Sequence, residues 1–214
     1  MSFPRFFVYK STMFDAHAHI GEITDEALVC SSSPSEYGSL MPFKYKAAGI
    51  LPGNEYIREA LEKAVSGGFL IGEIGLDKRF DDIPAQLEVF RSALEIAREC
   101  NTFTVLHIVR EYESALREIR RYGIKRFMVH GFSSSAEVAM DIIKLGGIIS
   151  LPPRAEKLKA FDRIIKLPFV TESDMKTGKE ERDALHSWNE KLSTLTGIDI
   201  EKRSESMMKE ALSE

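Results

Sequence analysis

Six residues, scattered along 214, have the chemistry to hold a divalent cation: His17, His19, Glu73, His107, His130 and Asp174. Imidazole and carboxylate are the donors that zinc, manganese and magnesium accept. His17 and His19 stand two apart in FDAHAH, and side chains two apart on a strand project to the same side. Glu73 interrupts the apolar run FLIGEIGLD. An ionised carboxylate there is costly unless a cation, or a lysine, compensates it. His107 closes FTVLH, His130 closes RFMVH, and Asp174 follows FVTES. A lone HxH pair is weak evidence, because strand histidines are commonly polar tips or satisfied core groups. The joint pattern carries more weight. Four of the five histidines lie at the ends of predicted strands or just past them, whereas His186 falls in a polar helical stretch.

The elements that must position these residues follow from short β-branched and aromatic runs. These predict strands at 13–17, 27–31, 45–51, 69–76, 103–107, 127–130, 148–151 and 169–171. Amphipathic helices separate the later ones. PAQLEVFRSALEIAREC repeats Leu87, Phe90, Leu94 and Ala97 at helical spacing, with Pro84 suited to a first turn. SSSAEVAMDIIKLGG opens on a serine cap and stops at Gly146 and Gly147. EYIREALEKAVSGG and AEKLKAFDRIIKL have the same form. Eight strands alternating with helices predict an α/β chain folded as a parallel (β/α)8 TIM barrel, whose chemistry sits at the carboxyl ends of the strands. Such barrels typically need about 250 residues, and the shortage falls early. Only residues 20–26 separate the first two strands, and residues 32–44 have little helical period. The barrel is therefore expected to be trimmed, its first two helices missing or reduced to single turns. One domain spans 1–214, with a C-terminal helix over 199–214 that turns Met207, Met208 and Leu212 inward.

The motif set DAHAH, GEIGLD, LH, VHGFSSS and TESDM, in this order, resembles the TatD family of metal-dependent hydrolases. These are amidohydrolase-like barrels that include divalent-metal deoxyribonucleases. The similarity runs from about Phe14 to Asp174. It implies that His17, His19 and Asp174 bind one metal, that His107 and His130 bind a second, and that Glu73 bridges the two. Asp174 would also orient and deprotonate the attacking water. Asp15 and Asp77 are expected to support the site, holding a ligand from behind or capping a loop. The chain departs from the family in its substrate loops. GILPGNE lacks the usual loop histidine, Arg110 follows His107 by three residues instead of two, and Gly131 replaces a frequent cysteine.

The expected activity is that of a two-metal phosphodiesterase or deoxyribonuclease, 3'-5' exonuclease-like, using one or two divalent ions (Mg, Mn or Zn). The alternatives are hydrolysis of a small phosphoester, ester or amide on the same cage, and a non-catalytic barrel binding nucleic acid or protein. Basic residues just after strands, Lys78, Arg79, Arg110, Arg154 and Lys176, are the candidate contacts to DNA or a small phosphodiester. The denser group Arg117, Arg120, Arg121, Lys125 and Arg126 falls at the opposite face and reads as solvated charge. Trp188 reads as packing. With 43% hydrophobic and 29% charged residues the composition is that of an ordinary globular protein. A net charge of -4 provides no bulk attraction to nucleic acid. MSFPRFFVYK lacks the features of a secretory signal, and two cysteines are too few for a disulfide framework. A cytoplasmic monomer without a membrane segment is the expectation.

Overall fold

The computed structural model describes residues 13–213; MSFPRFFVYK, read above for a signal, lies outside them. Eight strands appear in chain order: β1 (Asp15–His19), β2 (Ala27–Cys30), β3 (Tyr45–Ala48), β4 (Leu70–Asp77), β5 (Thr104–Val109), β6 (Phe127–His130), β7 (Ile148–Leu151) and β8 (Val170–Thr171). Each pairs in parallel with the next. The predicted strands are all present, displaced at their ends by a few residues. β8 is only two residues long, and the barrel closes just beyond it. Asp174 N donates to His17 O at 3.2 Å, His19 N to Met175 O at 2.8 Å, and Thr177 N to His19 O at 3.0 Å. Gly21 permits this close approach, because a Cβ there would sit 2.2 Å from Thr177 O.

Two register irregularities set the inside of the barrel. Phe14 and Ala16 belong to an inner cluster with Leu28, Cys30, Phe103, Val105, Met128 and Val170, yet Ala18 packs in the outer layer. The pairing of β1 with β2 shifts between Asp15 and Ala18. In β4, Leu70 packs against the inner cluster while Ile71, Ile74 and Leu76 lie outside, and the pairing with β5 shifts between Ile71 and Ile74. A bulge of this kind re-aims the side chains that follow it. It lets apolar residues fill the lower barrel while His17, His19 and Glu73 face the mouth.

The outer layer holds α1 (Arg58–Ser66), α2 (Ile83–Cys100), α3 (Tyr112–Tyr122), α4 (Ala136–Lys144), α5 (Phe161–Ile164), α6 (Lys179–Thr196) and α7 (Ile200–Ser213). The expected trimming is present: β1 runs to β2 without a helix, and β2 to β3 through the 3-10 segment Pro34–Leu40. Caps follow the sequence. Asp82 Oδ1 accepts from Ala85 N at the start of α2, and Ser135 Oγ from Val138 N at the start of α4. The helix expected in AEKLKAFDRIIKL is instead two pieces, the 3-10 segment Pro153–Lys157 and the single turn α5. Pro152 and Pro153 start a tight turn, and Leu158 is extended (φ -71°, ψ 134°), so the two pieces bury Ala155 and Phe161 separately. Trp188 is buried, donating Nε1–H to Leu151 O at 2.8 Å, as a packing residue would. α7 closes the amino end of the barrel with Met208 buried and Met207 and Leu212 packed beside it.

Of the basic group on the far face, Arg117 and Arg121 flank Glu118, whose carboxylate accepts two hydrogen bonds from Arg91 at 3.0 Å each. The Arg91 bonds, with the neighbouring positive charge, hold the Glu118 carboxyl below its ordinary value. A carboxyl so depressed stabilises the fold above its unfolded pKa, and that stability is lost as pH falls through the folded one. Urea denaturation should show wild type losing its advantage over Glu118→Gln between about pH 6 and about pH 3. A second expectation concerns Gly75, where a Cβ would lie 1.9 Å from His107 O. Gly75→Ala should therefore cost about 3 kcal/mol or prevent folding.

Candidate metal centre

The six residues expected to bind metal come from β1, β4, β5, β6 and the turn after β8, and they meet at one opening. Glu73 lies at its centre, nearly wholly buried, with Oε1 3.1 Å from His17 Nε2 and 3.0 Å from His130 Nε2. One donor atom from each of His17, Glu73, His130 and Asp174 falls within 4.8 Å of the others. Asp174 Oδ1 is 3.2 Å from His19 Nε2 and 3.6 Å from His17 Nε2. His107 joins from the other side, its Nδ1 3.0 Å from His130 Nε2. Asp174 has left-handed backbone (φ 58°), a region aspartate visits more readily than most residues.

The two supporting acids act on opposite flanks. Asp15 Oδ1 accepts from His17 N at 3.1 Å and Ser173 N at 3.0 Å, tying β1 to the turn that carries Asp174. Asp77 holds His107 from behind, with Oδ2 2.9 Å from Nε2, which leaves Nδ1 facing the centre. Arg79 in turn binds both oxygens of Asp77. Glu172 went unassigned in the sequence because TES reads as a strand end. It is buried, accepts from Gly131 N at 2.6 Å and from Ser150 Oγ, and lies 3.9 Å from His130 Nδ1.

Electrostatically the cluster favours added positive charge. Burial works to raise the Glu73 carboxyl, but the His17 and His130 rings outweigh it and hold the group well below the usual range. Burial and the neighbouring His17 push His130 down to about 4, so it is neutral and can donate a lone pair. Burial works to lower His17, yet Cys30 and Glu73 beside it raise it well above an ordinary histidine. Burial pushes Glu172 up to about 7. Several buried polar atoms at this centre also lack hydrogen-bond partners, among them Glu73 Oε2, His17 Nδ1 and His130 Nδ1. Buried polar atoms are rarely left so. Imidazole and carboxylate with unspent acceptor capacity are a donor set that fits divalent cations.

The centre opens into a cavity of about 450 Å³ lined by His19, Leu51, Glu73, Arg79, His107, His130, Gly131, Ser133, Arg154 and Asp174, with Ile108 and Val109. Of the five basic substrate candidates, Arg79 and Arg154 line it. Lys78 turns to Glu111 at 3.4 Å, while Arg110 and Lys176 are exposed outside the lining.

A parallel barrel with histidines and carboxylates gathered at its strand ends has the architecture of a metal-binding (β/α)8 protein. The family profile described as TatD related DNase matches residues 34–213, and the chain belongs to that family. It is 31% identical over 144 residues to the "Uncharacterized metal-dependent hydrolase YjjV" of Escherichia coli K12, covering 59% of this chain and 55% of the relative. It is 34% identical over 95 residues to "Uncharacterized metal-dependent hydrolase YabD" of Bacillus subtilis, covering 42% and 36%. The chain thus matches about half the length of YjjV or less of these relatives. In three dimensions it resembles the crystal structure of the E. coli TatD homologue YjjV, with TM-score 0.74 and 20% identity over 95% of each chain. A TatD-like protein from Archaeoglobus fulgidus has TM-score 0.65 and 18% identity, covering 94% of this chain and 100% of that one.

Metal titration tests the cage. Manganese or zinc at about 100 times its dissociation constant should stabilise the protein by about 2.7 kcal/mol, a rise of roughly 5–10 °C in melting temperature for a chain of this size. Glu73→Gln should abolish that rise. Asp77→Asn, which frees His107 to rotate, should weaken metal binding by about 10–100-fold.

Proposed function

We propose that this protein hydrolyses phosphodiester bonds at a two-metal centre, acting as a deoxyribonuclease on DNA ends. The observation that carries this reading is the convergence of four histidines and two carboxylates, contributed by five parts of the chain, on one open cavity. The description of the family supports DNA as the substrate. His17, His19 and Asp174 would hold one cation, His107 and His130 the other, with Glu73 between them. Bound there, divalent cations supply Lewis acidity, a lowered water pKa and stabilisation of attacking and leaving oxygens.

The chain's own residues perform the rest. Burial works to raise the Asp174 carboxyl, but His19, His17 and neighbouring positive charge hold it well below the usual range. It is therefore ionised at neutral pH and able to take a proton at Oδ2, the oxygen turned away from the histidines. Asp77 orients His107, and Asp15 keeps the Asp174 turn in register with β1. Leu51 and Val109 give the cavity apolar wall, which limits the water around the reacting group.

A smaller phosphodiester or ester is the second reading. It is favoured by the size of the cavity and by the net charge of -4, since a long polyanion normally needs a continuous basic groove. A short single-stranded DNA and chromogenic phosphodiesters, assayed with magnesium, manganese and zinc, separate the two. The nuclease reading expects metal-dependent shortening of the DNA, reduced at least about 100-fold in His17→Ala, Glu73→Ala and Asp174→Asn. Cleavage of the chromogenic substrates alone would favour the small substrate, and a folded, metal-loaded protein inactive on both would remove phosphodiester hydrolysis.

A further inference from the structure

The cavity has a cation with unspent donors, and its position depends on a missing side chain. Arg79 directs its Nε and Nη2 donors to both oxygens of Asp77, so it is committed to holding that acid. Arg154 is different. Its Nη2 touches Asp174 Oδ2 at 2.7 Å, its side chain is 54% exposed, and a guanidinium has five N–H donors. It stands on a rigid base: Pro152 and Ala155 are buried on either side, and prolines 152 and 153 fix the start of the turn. The tip of Arg154 occupies space beside Gly131, where a Cβ would lie 2.7 Å from Nη2. Gly131 directly follows the ligand histidine His130 and has φ +57°, so a larger residue there would be strained as well as crowded.

We infer that Arg154, admitted by the notch at Gly131, is the residue that grips the anionic oxygens of the substrate's phosphate, and that it gives the site its preference for charged over neutral esters. Arginine suits this role because two parallel N–H donors can bind one phosphate while another of the five keeps its contact with Asp174. The same contact sets the bound anion beside Asp174 Oδ2, the oxygen placed to accept a proton. The inference rests on the phosphodiester reading above for its substrate class, but not for its test.

The test uses manganese-loaded protein and two readouts. Inorganic phosphate is titrated calorimetrically into wild type, Arg154→Met and Arg154→Lys, with bound manganese measured in each. The ratio of kcat/KM on bis(p-nitrophenyl) phosphate to that on neutral p-nitrophenyl acetate is then compared. Arg154→Met should weaken phosphate binding at least about 10-fold with manganese retained, and should lower the ratio at least about 30-fold. Arg154→Lys should recover part of both, because it keeps the charge and loses the fork. Gly131→Ala, which displaces the guanidinium, should weaken phosphate binding in the same direction. Phosphate affinity unchanged in Arg154→Met overturns the inference, as does loss of manganese in that variant, which would make Arg154 a support of the cage. So does a wild type that binds no phosphate, or an unchanged substrate ratio. A wild type that cleaves neither these esters nor DNA but binds phosphate through Arg154 sinks the proposed hydrolysis and leaves the anion site standing.

Discussion

A carboxylate with almost no access to water, Glu73, is the constraint around which the rest of this molecule is arranged. Left alone in an apolar barrel it would neutralise or unfold its surroundings. Here its Oε1 touches two imidazoles while Oε2 has no partner. The proton that His17 favours is the metal-free substitute for the charge Glu73 requires. Every feature that brings His17 and His130 to this point can be understood as meeting that electrostatic demand.

Meeting it in a small barrel requires irregular strands. A regular β1 that buried Phe14 and Ala16 inside would turn His17 and His19 outward. The shift in β1 allows both requirements, and the shift in β4 does the same for Leu70 and Glu73. Closure is similarly displaced upward. Because β8 is so short, its seam with β1 is completed by the residues around Asp174, so the turn that carries this acid is also a structural joint. Asp15 fastens that joint from below. The same economy explains how the first crossovers can be trimmed without losing the site: none of the six candidate ligands rides on the missing helices.

Much of this was legible in the sequence because the relevant signals are local. Strand runs of apolar residues ending in histidine mark both element and mouth, and an acid inside FLIGEIGL needs a partner wherever it goes. Other features depend on contacts that a linear pattern does not contain. The bulges leave no mark beyond small residues such as Gly72 and Gly75. Glu172 resembles any polar residue at a strand end until Gly131, Ser150 and His130 are seen around it. The segment from Ala155 to Leu167 has helical spacing of apolar residues, but Pro152 and Pro153 begin a tighter turn and Leu158 extends. Basic residues were the least readable class. Lys78, Arg79, Arg110, Arg154 and Lys176 all follow strands, and only the folded loops decide that two of them face the cavity.

The acids behind the two facing histidines are not equivalent, and the difference has a chemical consequence. Asp77 is held well below the ordinary range, with hydrogen bonds from Arg79 and His107 outweighing its burial, so it stays ionised. An ionised acceptor on His107 Nε2 fixes the tautomer and raises the electron density at Nδ1. Glu172, by contrast, is pushed by burial to about 7 and stands 3.9 Å from His130, beyond hydrogen-bond distance. His130 is therefore the weaker donor and His107 the stronger. A barrel that needed only to hold a cation would support both rings alike. An uneven pair places unequal electron density on the two sides of the mouth, and the weaker side is the one that Arg154 and Gly131 adjoin, where the guanidinium offsets the Asp174 carboxylate an incoming anion would meet.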